Sequence, residues 1–232
     1  MNGKKYRNIF FDLDETLWDF KRNSLETIHE LISDHELDKR GFERTFFIER
    51  YHHHNEFYWD LYRKGKITRQ ELRTVRWKTT LDEFDIHDEF LVKNLSEEYL
   101  QILPTKKNLY EDARELLEYL KPKYSLHIIT NGFEEVQLQK IETSGIASFF
   151  THIITSERAG SQKPQREIFL FAFDLTGGSI HNSIFVGDSL EADIAGARGI
   201  GMDHVLFNPG QIPHQESVML EIRELKELKE FL

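Results

Sequence analysis

The sequence predicts an α/β protein, a doubly wound parallel sheet with an inserted helical domain. From Leu103 onward, short apolar runs that end in Gly, Pro or Asn alternate with helical patterns. This alternation is typical of parallel strands joined by crossover helices. One further apolar run, Asn8–Leu13, stands alone near the N-terminus, and residues 17–100 contain only two glycines and no proline. The first strand is therefore expected to join a sheet whose other strands follow residue 100.

The predicted organisation is one α/β core that is interrupted once. A length of 232 residues exceeds that of a typical compact domain and falls short of two full ones. We assign residues 1–16 and 101–232 to the core and residues 17–100 to the inserted helical domain.

The strands and helices of the core follow from local patterns. Each predicted strand is a short run of apolar and β-branched residues with a turn signal behind it. After the first strand these runs are Ser125–Thr130, His152–Thr155, Ser183–Gly187, His204–Phe207 and Val218–Ile222. The segments between them carry apolar residues at helical spacing, which predicts the helices Tyr110–Leu120, Phe133–Thr143, Gln165–Leu175, Leu190–Arg198 and Glu224–Leu232.

Helical periodicity also runs through the inserted domain. Apolar and aromatic residues recur there at steps of three and four, the spacing of one helical face. One predicted face consists of Phe47, Tyr51, His54, Tyr58 and Leu61, a second consists of Leu25, Ile28 and Ile32, and a third begins with Leu72 and Val75.

Composition excludes several classes of protein. The chain has 30 Lys and Arg against 40 Asp and Glu, which gives a net charge of −10. A negative protein does not favour binding to a nucleic-acid polymer, because the phosphate backbone is also negative. The chain has no cysteine, so a disulfide framework and thiol chemistry are excluded. No apolar run approaches the ~20 residues of a membrane span, and the N-terminus lacks a signal-peptide pattern. We expect a cytoplasmic enzyme, a monomer or homodimer, without a nucleic-acid or membrane partner.

Candidate functional residues follow the predicted strands, because ligands bind at the carboxyl ends of strands in open α/β sheets. Asp12 and Asp14 are two residues apart at the end of the first strand and are expected to project to the same side if the extended geometry persists. Thr130 and Asn131 follow the second strand and offer a hydroxyl and backbone N–H groups to an anion. An ordinary turn accounts equally well for this second pair taken alone.

A lysine and two more acids complete the set. Lys163 lies in a loop before the helix predicted to begin at Gln165, Asp188 follows the strand that ends at Gly187, and Asp193 comes within the next helical turns. Asp193 is also compatible with a simple helix-capping role. Four clustered acids would repel one another without a cation, whereas Mg²⁺ binds one or two carboxylates and bridges to phosphate. The set therefore implies a metal ion and a phosphoryl group.

The order Asp12-x-Asp14-x-Thr16, Thr130, Lys163-Pro164 and Gly187-Asp188-x4-Asp193 resembles the four motifs of the haloacid dehalogenase superfamily. This resemblance covers essentially the whole chain and implies a Rossmann-like core with a helical cap inserted after the first motif. An acid at position 14 resembles the phosphotransferase branch, since the dehalogenases lack it. The stretches Asp12–Phe20 (DLDETLWDF), Ile128–Gln137 (IITNGFEEVQ) and Thr155–Pro164 (TSERAGSQKP) resemble the pyrimidine 5′-nucleotidase subgroup.

The resemblance implies a role for each matched residue. Asp12 would attack phosphorus and form an aspartyl phosphate. Asp14 would protonate the leaving oxygen and then deprotonate the hydrolytic water. Thr130, the Asn131 N–H group and Lys163 would stabilise the charge on the phosphoryl oxygens. The Asp12 and Asp188 carboxylates and the Asp14 backbone carbonyl would bind Mg²⁺. Asp193 would lie in this ligand shell or next to it.

The expected substrate is a small phosphorylated metabolite, and a nucleoside 5′-monophosphate is the first hypothesis. Trp18 and Phe20 lie a few residues past the acidic pair and are candidates for contact with the substrate, since aromatic rings stack on nucleobases. A sugar-phosphate or phosphoglycolate phosphatase is the alternative within the superfamily. A phospho-accepting signalling module is the alternative of another class, although Asp14 argues against it because a base beside the nucleophile serves turnover.

Overall fold

The computed structural model describes residues 6–232 and contains a six-stranded sheet. The strands are β1 (Asn8–Phe11), β2 (Ser125–Thr130), β3 (Phe150–Thr155), β4 (Ser183–Gly187), β5 (Asp203–Phe207) and β6 (Leu220–Ile222). They are all parallel and lie in the order β3-β2-β1-β4-β5-β6. This sheet confirms the predicted doubly wound α/β class.

Strand β1 occupies the centre of the sheet, as its sequence requires. All four of its residues, NIFF, are buried, because helices cover both faces of a parallel sheet. Phe11 pairs with Ile128 of β2 on one side and with Val186 of β4 on the other. The chain builds outward from β1 first to one edge and then to the other, so the strand order reverses at β1. Such a reversal leaves a crevice at the carboxyl ends of the central strands.

Most of the predicted core elements are present with shifted ends. Strand β1 stops at Phe11, two residues before the predicted end, and β6 covers only Leu220–Ile222. The helices around the sheet are α5 (Ala113–Leu120), α6 (Glu134–Thr143), α7 (Ser156–Ala159), α8 (Arg166–Thr176), α9 (Ala195–Gly199) and α10 (Leu228–Phe231). The predicted helix Leu190–Arg198 begins as a π-helical turn, Leu190–Ile194, before α9. The predicted terminal helix from Glu224 is a 3₁₀ turn followed by the single turn α10.

The chain divides into two compact units, one formed by the segment up to Phe20 together with Lys107–Leu232, the other by Lys21–Lys106. Residues 17–20 therefore belong with the sheet, and residues 101–106 belong with the second unit. The helices outside the sheet unit are α1 (Phe20–Asp34), α2 (Arg44–Arg63), α3 (Arg69–Glu83) and α4 (Glu89–Ile102), and α1 begins at the boundary.

The second unit has an aromatic core. Tyr51 of α2, Trp77 of α3 and Tyr99 of α4 are buried, and the Tyr51 and Trp77 ring centroids are 4.2 Å apart. Buried Arg76 donates a 2.7 Å hydrogen bond to Asn55 Oδ1. The prediction that Leu25 lies on the packed face of α1 is wrong, since Leu25 is 40% exposed. The buried face of α1 is made instead by Asn23, Ser24, Thr27, Ile28, Leu31 and Ile32.

Among the described residues, no helix has the length and the apolar character needed to cross a bilayer.

Candidate active site

The candidate site begins at the end of β1, where the chain turns sharply. Glu15 adopts a left-handed φ of 61°, and the Leu17 and Trp18 N–H groups both donate to the Leu13 carbonyl oxygen. The strand ends at Phe11, and the Asp12 N–H group still donates to the Val186 carbonyl oxygen of β4 at 2.9 Å. The two carboxylates contact different partners, because Asp12 pairs with Lys163 and Asp14 accepts from Gln137 and Lys140.

Three carboxylates meet at the carboxyl ends of β1 and β4. One oxygen from each of Asp12, Asp188 and Asp193 lies within 4.8 Å of the others. Asp188 follows β4 directly, and Asp193 is carried back toward the strand by the π-helical turn. Its Oδ2 accepts a 3.1 Å hydrogen bond from the Ser189 N–H group. A Cβ atom on Gly187 would lie 2.4 Å from Asp193 Oδ2, so this approach requires glycine at the end of β4.

Lys163 neutralises part of this acidic group. The side chain is 2% exposed, and its Nζ lies 2.5 Å from Asp12 Oδ1 and 2.7 Å from Asp193 Oδ1. The predicted loop lysine is therefore a buried ion-pair partner and not a solvated side chain. A buried ammonium is stable only where anionic partners replace water, and the two aspartates supply them.

Burial and crowding shift the pKa values of these groups. Burial raises the pKa of Asp12 to about 7, against the lowering effect of Lys163 and with a further increase from Asp193. Burial together with the Asp193 and Asp12 charges holds the pKa of Asp188 well above its usual range. Burial alone would lower the pKa of Lys163, but attraction to Asp12 and Asp193 outweighs it and raises that pKa. The single ammonium thus leaves the carboxylates undercompensated.

The carboxylate group has the properties of a divalent-cation site. Its donors are hard oxygen atoms, which Mg²⁺ prefers over nitrogen and sulfur. Burial first and neighbouring carboxylates second raise the pKa values of Asp12 and Asp188, and a bound cation would favour their ionised forms. The Asp14 carboxylate lies outside the group of Asp12, Asp188 and Asp193. Only its backbone carbonyl, as the resemblance implies, is left as a predicted ligand.

Thr130 ends β2 with its hydroxyl oxygen already engaged. This oxygen accepts hydrogen bonds from the Gly132 N–H group at 3.2 Å and from Gln137 Nε2 at 2.6 Å. A hydroxyl has two acceptor positions and one proton, so the Thr130 O–H group is left to act as a donor. Such a donor is suited to a phosphoryl oxygen.

Asn131 and Lys163 hold each other's loops in place. Asn131 Nδ2 donates to the Lys163 carbonyl oxygen at 2.9 Å, and the Lys163 N–H group donates to Asn131 Oδ1 at 2.8 Å. The peptide bond from Lys163 to Pro164 is cis. This reciprocal pair connects the loop after β2 to the loop that carries Lys163.

Three residues of this region were not predicted as functional. Thr16 donates a 3.1 Å hydrogen bond to Asp188 Oδ1. Gln137 and Lys140 of α6 both contact the Asp14 carboxylate, with Nε2 at 2.8 Å from Oδ2 and Nζ at 2.7 Å from Oδ1. Thr16 stands in the first motif and Gln137 ends the stretch IITNGFEEVQ, although no role was assigned to either, whereas Lys140 looks like any helical lysine.

The two aromatic candidates, Trp18 and Phe20, lie beside Lys140. Trp18 is fully buried, and the Lys140 Nζ lies 4.4 Å from the centroid of its ring. Phe20 is partly exposed at 5.5 Å from the same ammonium. Contact between the Trp18 ring and a substrate would require this packing to open, whereas Phe20 keeps some free surface. A substrate contact by either residue stays a prediction.

Known proteins resemble this chain in sequence and in fold. The model of the haloacid dehalogenase-like hydrolase family matches residues 6–201. The HAD-hydrolase YfnB of Bacillus subtilis is 30% identical over 99% of this chain and 96% of its own. The crystal structure of YfnB bound to magnesium has a TM-score of 0.88 and covers 98% of both chains.

Two further relatives carry names that state a substrate. The pyrimidine 5′-nucleotidase YjjG of Escherichia coli is 26% identical and covers 98% of both chains. The N-acylneuraminate-9-phosphatase of Homo sapiens is 27% identical over 87% of this chain and 82% of its own. Together with the match of the family model over residues 6–201, these likenesses confirm the predicted resemblance, and the chain belongs to the haloacid dehalogenase-like hydrolase family, among relatives that include phosphatases.

Proposed function

We propose that this protein is a Mg²⁺-dependent phosphomonoesterase that works through an aspartyl-phosphate intermediate. The observation that supports it best is the meeting of Asp12 with Lys163, Asp188 and Asp193 beside a Thr130 hydroxyl that is free to donate. Nucleophile, anion-binding groups and cation ligands are the parts that phosphoryl transfer needs.

In the first step an Asp12 carboxylate oxygen forms a bond to phosphorus as the ester P–O bond breaks. The leaving oxygen takes a proton from the Asp14 carboxylic acid. In the second step a water oxygen attacks phosphorus, its proton passes to the Asp14 carboxylate, and the bond between Asp12 and phosphorus breaks. Inorganic phosphate and the free Asp12 carboxylate are the products.

The remaining residues bind and orient. Lys163 and the Thr130 hydroxyl hold phosphoryl oxygens, and the Asn131 side chain keeps the Lys163 loop in register. Asp12 and Asp188 would hold Mg²⁺, with Asp193 next to them or in the same shell. A bound Mg²⁺ supplies charge neutralisation for the phosphoryl group and favours the ionised form of the nucleophile.

For the substrate we propose a nucleoside 5′-monophosphate with a pyrimidine base. The local strings around Asp12, Thr130 and Lys163, and the likeness to YjjG over nearly the whole chain, support this class. A sugar phosphate is the second candidate, because the N-acylneuraminate-9-phosphatase is equally similar in identity.

Phosphate release from a substrate panel tests the proposal. The panel contains pyrimidine and purine nucleoside monophosphates, sugar phosphates and phosphoglycolate, each assayed with Mg²⁺ and with EDTA. We expect release that requires Mg²⁺ and is fastest with the pyrimidine nucleotides. If release is fastest from a sugar phosphate, the proposed mechanism stands and the proposed substrate class is wrong. If no compound releases phosphate, the proposed phosphomonoesterase activity is contradicted and a phospho-accepting module is favoured.

The variant Asp12→Asn tests the nucleophile. We expect it to lose hydrolysis by several orders of magnitude, because an amide cannot form the acyl phosphate. Folding should be retained, since removing one of the clustered acids relieves repulsion while Lys163 keeps its partner Asp193. Circular dichroism serves as the control for folding, and a folded variant with wild-type turnover would overturn the mechanism.

A further inference from the structure

The carboxylate of Asp14 is held by two side chains that lie outside the four superfamily motifs, Gln137 and Lys140. Both come from α6, one helical turn apart, so they project from the same face of the helix. Lys140 Nζ lies 2.7 Å from Asp14 Oδ1, and Gln137 Nε2 lies 2.8 Å from Asp14 Oδ2. Each carboxylate oxygen therefore has its own donor, and rotation of the carboxylate plane would break both contacts.

Lys140 is an unusual residue for a helix on the outside of a sheet. Its side chain is 3% exposed, although a lysine on such a helix ordinarily extends its ammonium group into water. Burial of an unpaired ammonium is strongly unfavourable, so the position of Lys140 depends on the groups around it. Asp14 supplies the anion, and the ring of Trp18 at 4.4 Å supplies a cation–π contact.

The turn after β1 places two aromatic rings against the Lys140 ammonium. Its hydrogen bonds from Leu17 and Trp18 back to the Leu13 carbonyl bring the Trp18 ring to the ammonium that pairs with Asp14. The Phe20 ring lies 5.5 Å from the same ammonium. Lys140 is thereby fixed by the segment that also carries the two acids of the site.

Gln137 connects the Asp14 carboxylate to the phosphate-binding side of the site. The same Nε2 atom that donates to Asp14 lies 2.6 Å from Thr130 Oγ1. A Cβ atom on Gly132 would lie 2.4 Å from Gln137 Cδ, so glycine at this position leaves space for the amide. The position of Asp14 is thus coupled to the Thr130 hydroxyl, which the proposed function assigns to a phosphoryl oxygen.

We propose that Lys140, assisted by Gln137, is a positioning residue that fixes the Asp14 carboxylate for proton transfer to the leaving group and from the hydrolytic water. The inference rests on the proposed function, in which Asp14 is the general acid and base. Lys140 itself touches neither substrate nor phosphorus in this role. A lysine that only anchors α6 to the sheet would affect folding stability and all substrates alike.

The test compares two leaving groups in the variant Lys140→Met. A nucleoside monophosphate has a poor leaving group that needs a proton, whereas p-nitrophenyl phosphate releases the p-nitrophenolate anion without one. With the nucleotide we expect kcat to fall at least tenfold and KM to stay within a factor of two, since positioned proton transfer contributes about 10²–10⁴-fold. With p-nitrophenyl phosphate we expect a rapid burst of p-nitrophenol followed by slow turnover, because only the second step still needs Asp14.

Intact-mass measurement after acid quenching provides the second readout. During turnover of p-nitrophenyl phosphate, Lys140→Met should accumulate enzyme that carries one phosphoryl group, and the wild type should not. Lys140→Arg keeps a cation at this place and should recover most of the lost kcat. The exposed Glu142 lies on the same helix, and Glu142→Gln is the matched control that should leave both substrates unaffected.

The outcomes separate this inference from the proposed function. Wild-type protein that releases no phosphate from either substrate would overturn both. An active wild type together with unchanged kcat in Lys140→Met, or with equal losses on both substrates and no phosphoenzyme, would overturn the role of Lys140 alone. If Lys140→Met does not fold, Gln137→Met leaves Lys140 in place and removes the donor to Asp14 Oδ2 together with the donor to Thr130 Oγ1. A first step that slows only with the nucleotide would support the positioning of Asp14, whereas equal slowing of the first step with both substrates would contradict it.

Discussion

His127 lies in the middle of β2 between Phe10 of β1 and His152 of β3, and all three rings stack along the sheet. Its Nε2 lies 3.2 Å from Asn8 Oδ1, so the neutral ring donates to an amide oxygen. Burial, together with a smaller effect of the neighbouring His152, lowers the pKa of His127 to about 4. The folded protein therefore holds His127 neutral at a pH where the unfolded chain is protonated.

This difference predicts a loss of stability in acid. In the unfolded chain, His127 binds a proton below its ordinary pKa of about 6.5. Its contribution to the free energy of unfolding is therefore complete above that pH and falls as the pH drops toward 4. From pH 7 to pH 4 the loss amounts to about 3 kcal/mol in the free energy of unfolding. Urea titrations at several pH values give the free energy of unfolding of the wild type and of His127→Gln. The difference between the two proteins should shrink by about this amount as the pH falls. A constant difference between the two proteins would contradict the prediction.

Helix α3 begins with a complete capping box, which is an element-scale feature. The Thr68 hydroxyl accepts from the Glu71 N–H group at 3.2 Å, and the Glu71 carboxylate accepts from the Thr68 N–H group at 2.7 Å. These bonds satisfy N–H groups that the helix itself leaves without a partner. They also fix the start of the helix that carries Trp77 into the core of the second unit.

Thr68→Ala should lower the free energy of unfolding by about 1 kcal/mol, the usual cost of losing a helix N-cap. Thr74→Ala is the matched control within the same helix, because the Thr74 hydroxyl makes only long bonds of 3.3 and 3.4 Å to backbone oxygens and alanine favours helix. Denaturant unfolding of both variants measures the difference. Equal stability of the two variants would mean that the capping box contributes nothing measurable.

At the same scale, the sequence was most informative where function depends on the ends of strands. Thr130 and Asp188 lie at or just behind β2 and β4, because parallel strands carry their carboxyl ends to one edge whatever the helices do. Lys140 could not be predicted, since a helical lysine is buried only when a distant segment supplies an anion and a ring. The π-helical turn at Leu190–Ile194 escaped prediction because helical periodicity looks the same in both forms over so short a segment.

At the scale of the whole molecule, negative charge exceeds positive charge, with a net −10. The surplus has its strongest local effect where Asp12 and Asp193, both buried and paired with Lys163, lie beside the partly exposed Asp188. Such a site opposes folding when no cation is bound, because each carboxylate has lost water and faces like charges. Any ion that binds only the folded protein then stabilises the whole chain by mass action.

Thermal unfolding with increasing Mg²⁺ measures this coupling. At a Mg²⁺ concentration one hundred times Kd, the wild type should gain about 2.7 kcal/mol, and a chain of this size gains roughly 2–4 °C in Tm for each kcal/mol. Asp188→Asn should melt higher than the wild type in EDTA, because it removes a charge from the crowded group, and it should respond little to Mg²⁺.

A higher Tm of Asp188→Asn in EDTA combined with a lost response to Mg²⁺ distinguishes a metal site from general screening of charge. Asp174 is an exposed acid on α8, and Asp174→Asn removes the same charge from the molecule without touching the site. If Mg²⁺ acts only by screening a net charge of −10, both variants should respond like the wild type, and sodium at equal ionic strength should reproduce the shift. If Mg²⁺ binds at Asp12, Asp188 and Asp193, the Asp174 variant keeps the full response, the Asp188 variant loses it, and sodium has little effect.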